Sequence, residues 1–284
     1  MTDQKLVVVK HNDLIRAAQQ LSVTEGRIIL ACVAQVNSMA PLTMQDKITL
    51  YVSDLAAMLP EVVNIYSDIK ESVERLANRW VYLKQDDRAK ETKTRWLHTV
   101  SYAETEGRID LYFSPFITPF LSELSRDFTQ YKLEHVIHFK SSYSTGFYEW
   151  LKSYMTSEVV LTIEEIKEHF LLDDLYARQD KLQDKVIKPA IEDINKHSDM
   201  TVSYVVVKQG RRVTGFKFTY VCLENKKVTK PKFLPKEKAP AVKTAKASVD
   251  NLTHFTSLRK NFGTKFDDTI PAEIVAEMKE KGLW

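Results

Sequence analysis

At 284 residues, with 44% hydrophobic and 28% charged side chains, the chain has the composition of a globular protein of about two domains, which excludes a disordered polymer. Its apolar runs are shorter than the roughly 20 residues a bilayer span needs, and Met1-Thr2-Asp3-Gln4-Lys5 lacks a signal peptide's basic-then-apolar pattern, so a cytoplasmic protein without membrane contact is expected. Of the formal +3 charge, residues 226–246 hold eight lysines against one acid and 247–284 five bases against six acids; the first 225 residues are left at −3, which argues against a strongly basic nucleic-acid binder.

In chain order, Asn12 caps a helix expected over 13–21. Thr24 caps another over 25–37, made strongly apolar by Ile28, Ile29, Leu30, Val33 and Val36. Residues 48–52 alternate as a strand. Ser53 opens a helix over 54–59 that Pro60 stops, and a turn through Val63 and Asn64 leads to a helix over 66–79 with Ile69, Val73 and Leu76 inward. Strand-like runs follow at 80–83, 96–103 and 109–113, and the mixed charges of 84–95 read as a solvated loop. Segments 115–124 and 142–154 read as helical. In the second, Phe147, Trp150, Leu151 and Tyr154 form one face. Cys32 and Cys222 lie in apolar segments and read as packed thiols rather than a disulfide or a metal pair.

Val159-Val160-Leu161 reads as a strand, and Thr162-Ile163-Glu164-Glu165 as a capping box opening a helix through His169. Residues 181–198 form a long amphipathic helix, apolar at Leu182, Val186, Ile187, Ala190, Ile191 and Ile194. Pro189 either kinks it or divides it into two abutting helices. A ribbon follows, with Val202, Tyr204 and Val206 on one strand, Phe216, Phe218 and Tyr220 on the other, and Lys208-Gln209-Gly210-Arg211-Arg212 at the tip. Residues 225–246 read as a flexible basic linker, and 271–281 as one short helix.

Strand, helix, second helix and hairpin thus occur twice, about a hundred residues apart. The expected fold is α+β: tandem winged-helix domains, each a helix-turn-helix with a β-hairpin wing, followed by a flexible basic C-terminal tail. The first would span 1–125 and serve dimerisation and positioning. The second would span 126–224 and carry most DNA recognition, and 225–284 would be linker and terminal helix.

Four segments together resemble the iteron-binding replication initiators of theta-replicating bacterial plasmids. They are Val8-Val9-Lys10-His11-Asn12-Asp13-Leu14-Ile15-Arg16-Ala17 with Leu21-Ser22-Val23-Thr24-Glu25, then Ser142-Tyr143-Ser144 with Phe147-Tyr148-Glu149-Trp150-Leu151, then Lys188-Pro189-Ala190-Ile191-Glu192-Asp193-Ile194-Asn195, and the ribbon tip. The resemblance covers most of residues 6–222. It implies two winged helices straddling double-stranded DNA with direct repeats at a plasmid origin. It also implies monomers active there in equilibrium with homodimers that repress the protein's own gene, and a host replicative helicase and chromosomal initiator protein as partners.

On this reading Lys181 and Lys185 donate to guanine, Gln183 pairs with adenine, and Lys188 shares their exposed side. Asp184 departs from the basic run usual in the family. It either accepts from cytosine N4 or pairs along the helix with Lys181 or Lys188. Arg178 is a phosphate candidate. Lys208, Arg211 and Arg212 should reach phosphates or the minor groove. The first winged helix offers Asn64, Ser67 and Lys70, with Arg75 or Arg79 toward the DNA backbone.

No catalytic residue, metal site or cofactor is expected. His135-Val136-Ile137-His138 lacks a third ligand, and neither a phosphate-loop motif nor a Gly-x-Ser-x-Gly elbow occurs. Origin opening would then draw on binding energy, DNA bending and recruited partners. The competing reading is a winged-helix transcriptional repressor, which would want an inverted rather than a direct repeat.

Overall fold

The computed structural model describes residues 6–58, 65–85, 90–172, 175–176, 178–223 and 279–281. The first strand, β1 (Val7–His11), pairs antiparallel with a distant one introduced below. His11 caps the short α1 (Asn12–Arg16), its ring accepting from the Asp13 amide. The helix expected over 13–21 therefore stops early, and β2 (Ala18–Gln19) follows it. In α2 (Val23–Val33) the capping box belongs to Ser22 and Glu25, so the start moves forward from Thr24, and the helix ends before residue 37. Its Ile28, Ile29, Cys32 and Val33 are buried at the centre of the first domain.

β3 (Ile48–Tyr51) leads into α3 (Val52–Met58), and α4 (Ile65–Ala77) buries Ile69, Val73 and Leu76, the expected inward set. Next come β4 (Trp80–Gln85), β5 (Lys90–Arg95), β6 (Leu97–Ala103) and β7 (Arg108–Phe113). β5 corrects the expected loop over 84–95. Its polar sequence pairs with β4 because Arg95 lies opposite Trp80 and Lys93 opposite Tyr82, each cation 4.1–5.1 Å from an aromatic ring. Residues 115–124 hold only a 3-10 turn at Thr118–Phe120 instead of the expected helix. β8 (Phe128–Lys132) is the partner of β1, and α5 (Ser144–Lys152) follows.

The second unit is β9 (Glu158–Thr162), α6 (Ile163–His169), α7 (Gln179–Leu182), a π turn at Gln183–Ile187, α8 (Lys188–His197), β10 (Met200–Gln209) and β11 (Arg212–Cys222). Thr162 and Glu165 form the expected capping box. The disturbance expected at Pro189 takes the form of the π turn. Proline has no N–H to give, and one residue earlier the Lys188 amide already bonds back five residues to Gln183. The helix thus runs on from 179 to 197.

The two units share one topology. β11 lies between β10 and β9, and β7 lies between β6 and β3, all antiparallel. The wing of the first winged helix is therefore β6–β7, and β4–β5 is a hairpin inserted ahead of it. Both wing turns contain a glycine at positive φ, Gly107 at 60° and Gly210 at 62°, where a Cβ would be strained.

Residues Met1–Leu234 form one compact unit that holds both winged helices. Pro235–Trp284 form another, of which only Lys279–Lys281 are described, the first two helical. The expected linker over 225–246 and most of the expected helix over 271–281 lie outside the described residues. Among those residues, no helix is long and apolar enough to cross a membrane.

Candidate nucleic-acid interface

The helix 179–197 buries Leu182, Val186, Ile187, Ala190, Ile191 and Ile194, and this apolar back leaves Lys181, Asp184, Lys185 and Lys188 exposed. No ion pair joins Asp184 to Lys181 or Lys188 among the described residues. Three side chains tie helix and wing together. Gln179 donates to the Val213 carbonyl at 3.2 Å, Gln183 to the Tyr204 hydroxyl at 3.2 Å, and Asn195 exchanges two hydrogen bonds with Val202 at 2.9 and 2.6 Å. Sequence reasoning picked out none of these ties, since each depends on which strand lies behind the helix.

The tie on Gln183 bears on its expected role. Its amide N–H group is engaged inside the domain, and the residue is half-buried. Arg178 forms a forked pair with Asp180 at 2.7 and 3.1 Å, so a phosphate would compete with that carboxylate. The hydrogen bond and charge of Asp180 push the guanidinium up, and Arg178 in turn holds Asp180 down. On the wing, Lys208 and Arg211 are exposed, with a bulge between Val207 and Lys208 turning the tip. Arg212 lies 3.9 Å from Glu164, both largely exposed, an arrangement too loose to hold it from an anion.

The first winged helix is electrostatically different. Asn64 lies outside the described residues, and Ser67 is exposed on α4. Lys70 donates to Glu104 of the wing at 2.8 Å and sits 5.2 Å over the Tyr102 ring. Arg75 pairs with Glu71 at 2.6 Å and approaches Glu25 at 3.5 Å, while Arg79 binds Glu25 through two nitrogens. Lys70, Arg75 and Arg79 are thus engaged by carboxylates of the same domain, and the Ser67 hydroxyl donates to Asp68 at 3.4 Å. The wing tip itself carries Glu104 and Glu106.

His135 lies 3.3 Å from Asp199, and the His138 ring 6.1 Å from that of His197. The described residues contain no cluster of three or more His, Cys, Asp or Glu that would hold a metal ion. Cys32 is buried, Cys222 half-buried, and both are free.

Residues 7–152 match the family described as Initiator Replication protein, WH1, and residues 162–220 that described as Initiator Rep protein, WH2. The chain belongs to the initiator replication protein family. The first match runs past the division expected at 125/126, taking in β8 and α5. The initiator is 28% identical over 216 residues to a replication initiation protein of Escherichia coli, covering 73% of this chain and 67% of that one. It is 23% identical over 262 residues to the PI protein of Escherichia coli, covering 79% and 86%. In fold it is similar to the crystal structure of a Pi initiator protein in complex with iteron DNA, with a TM-score of 0.66 at 21% identity, over 79% of this chain and all of that one.

Proposed function

We propose that this initiator binds directly repeated DNA at a plasmid origin, with the second winged helix reading bases in the major groove and the first setting position along the duplex. The observation that carries the reading is the exposed row Lys181, Lys185 and Lys188 on a helix whose whole apolar face is buried and whose flank is fixed to a cationic wing. Such a helix presents donors to guanine edges at fixed depth, while Lys208, Arg211 and Arg212 meet phosphates beside it. Asp184, free of both neighbouring lysines, is open to accept from cytosine. Arg178 and the first-domain residues Asn64, Ser67, Lys70, Arg75 and Arg79 complete the proposed contact set, those paired with carboxylates contributing least.

The protein acts by binding and not by covalent chemistry. Opening of the origin draws on DNA deformation and on recruited host helicase and chromosomal initiator protein, and a dimer in equilibrium with the monomer represses the protein's own gene. It works in the bacterial cytoplasm. A nuclease footprint of the purified protein on the DNA flanking its gene tests this reading. Protection of direct repeats about two helical turns, roughly 20 base pairs, long supports it. Protection of a single inverted repeat would favour a plain repressor.

A further inference from the structure

α5 is bound to both winged helices by charged groups. Toward the first domain, Glu149 is buried and accepts from Lys10 Nζ of β1 at 2.7 Å and from the Tyr131 hydroxyl of β8. Toward the second, α8 and the turn after it supply two carboxylates. Asp193 Oδ2 accepts from the amides of Lys140 and Ser141 at 2.7 and 2.8 Å and from the Ser144 hydroxyl at 2.7 Å. It thereby grips the start of α5, where backbone N–H groups lack helical partners. Asp199 accepts from the Tyr148 hydroxyl and from Lys152 Nζ, each at 2.6 Å, toward the other end.

The element that carries the exposed lysines is therefore clamped near both ends of α5, and Glu149 between those clamps locks the same helix into the first domain. Ring packing supports the clamp, with Trp150 stacked on His169 at 4.3 Å and Phe147 against Phe218 at 5.8 Å. A solvated hinge between two DNA-binding units needs none of this. Glu149 is buried and Asp193 and Asp199 are half-buried, and carboxylates that each gather several donors specify one arrangement and penalise others.

We propose that α5 is a rigid strut setting the angle and separation of the two winged helices, so that the initiator measures the phase of its DNA site, with Asp193 and Asp199 as the positioning residues. The phase measurement rests on the reading that both winged helices meet one duplex; the strut itself does not.

Two measurements on the full chain separate these. Spin labels at Glu71→Cys on α4 and Glu192→Cys on α8, in a Cys222→Ser background, report the inter-domain distance of the free protein by double electron–electron resonance. A narrow distribution is expected, broadening when Asp193→Ala and Asp199→Ala are added; a distribution that stays narrow overturns the strut.

The second measurement titrates the footprinted repeat against the same repeat with five base pairs, about half a turn, inserted at its centre. The parent loses on the order of 100-fold, because only one unit can then engage. Asp193→Ala loses less than about tenfold. Asp193→Asn, which keeps an acceptor oxygen for the two amides, retains the parent's penalty. Should Asp193→Ala fail to fold by circular dichroism, Lys152→Met, which removes one donor from Asp199, is expected to halve the penalty or better, and an unchanged penalty overturns the positioning role. A parent indifferent to the insertion defeats the two-domain reading of function, while the label distances still decide the strut.

Discussion

Arg79 grips Glu25 through two hydrogen bonds, Nε to Oε2 at 3.0 Å and Nη2 to Oε1 at 3.2 Å, and the carboxylate they hold is completely buried. The same carboxylate accepts from the Ser22 amide at 2.8 Å, so one side chain both starts α2 and fastens it to the end of α4. Replacing Glu25 by Ala leaves a cap unmade and removes the carboxylate shared by two half-exposed arginines. We expect a loss of about 1–2 kcal/mol in unfolding free energy by urea titration. Glu25→Gln keeps an acceptor and loses less. Arg79→Ala should lower stability and flatten the salt slope of DNA binding by well under one ion, as befits a contact already held by a carboxylate; a slope reduced by about one full ion would make Arg79 chiefly a phosphate ligand.

The helix and the wing of the second domain make separable contributions. Lys185→Ala should weaken binding to the repeat about tenfold or more and leave random duplex nearly untouched, because a base contact is worth about 1–3 kcal/mol of discrimination. Arg211→Ala should weaken both duplexes alike and flatten the salt slope by about one ion. Fluorescence anisotropy at several salt concentrations reads both outcomes. Equal and negligible losses for the two variants would remove the proposed interface.

Asp199 gives the protein an acid-sensitive junction. Burial pushes its carboxyl up, but His135, Lys152 and Tyr148 outweigh burial and hold it well below the usual carboxylate range. A depressed native value stabilises the fold above the unfolded value of about 3.9, and that contribution drains away as pH falls below it. Asp199→Asn should therefore cost about 2 kcal/mol at pH 7 and show a shallower decline between pH 4 and pH 3 than the parent. Urea midpoints across that range measure it. An identical acid limb in both proteins would mean that the carboxylate is not titrating with unfolding.

Gly215 is fixed by contact rather than by its dihedrals. A Cβ there would stand 2.5 Å from the Leu161 carbonyl oxygen of the neighbouring strand, backbone that has nowhere to retreat. Gly215→Ala should cost about 2 kcal/mol by pulling β11 from β9. At Gly210 a Cβ meets open space, and only its positive φ of 62° resists substitution, so Gly210→Ala should cost about 1 kcal/mol. Thermal melts of the two variants check the order, and the reverse order would show that β9 yields.

The second winged helix was legible because its signals are local. The capping box of Thr162 and Glu165 lies within four residues, and Phe216, Phe218 and Tyr220 alternate on one strand, all three buried. The pairing of β1 with β8 joins residues more than a hundred apart, Val9 opposite Gln130, and nothing in Val7-Val8-Val9 says where the partner is. β5 was hidden for another reason. Lys90-Glu91-Thr92-Lys93-Thr94-Arg95 is too polar to read as a strand until the rings of Trp80 and Tyr82 are placed opposite its cations. At the site, the exposed lysines followed from helical periodicity alone. That Gln183 is engaged by Tyr204, or Arg79 by Glu25, required the tertiary fold.

The wing of the first domain offers a last test, because its charge opposes DNA. Its turn carries Glu104 and Glu106, and Glu104 takes up Lys70 at 2.8 Å. The hydrogen bond to that carboxylate, with its charge, pushes Lys70 up, so the ammonium stays charged but already partnered. A winged helix that set position by lying close to the phosphates would gain from losing this carboxylate. Glu104→Gln releases Lys70 and removes a repulsive charge at once. If the tip borders the duplex, affinity should rise a few-fold at low salt, and the salt slope should steepen by about one ion. Glu106→Gln, whose partner Arg108 is 3.0 Å away, should act in the same direction. Both variants binding as the parent does at every salt concentration would place this wing away from DNA. The first domain would then act on the duplex only through its junction with α5.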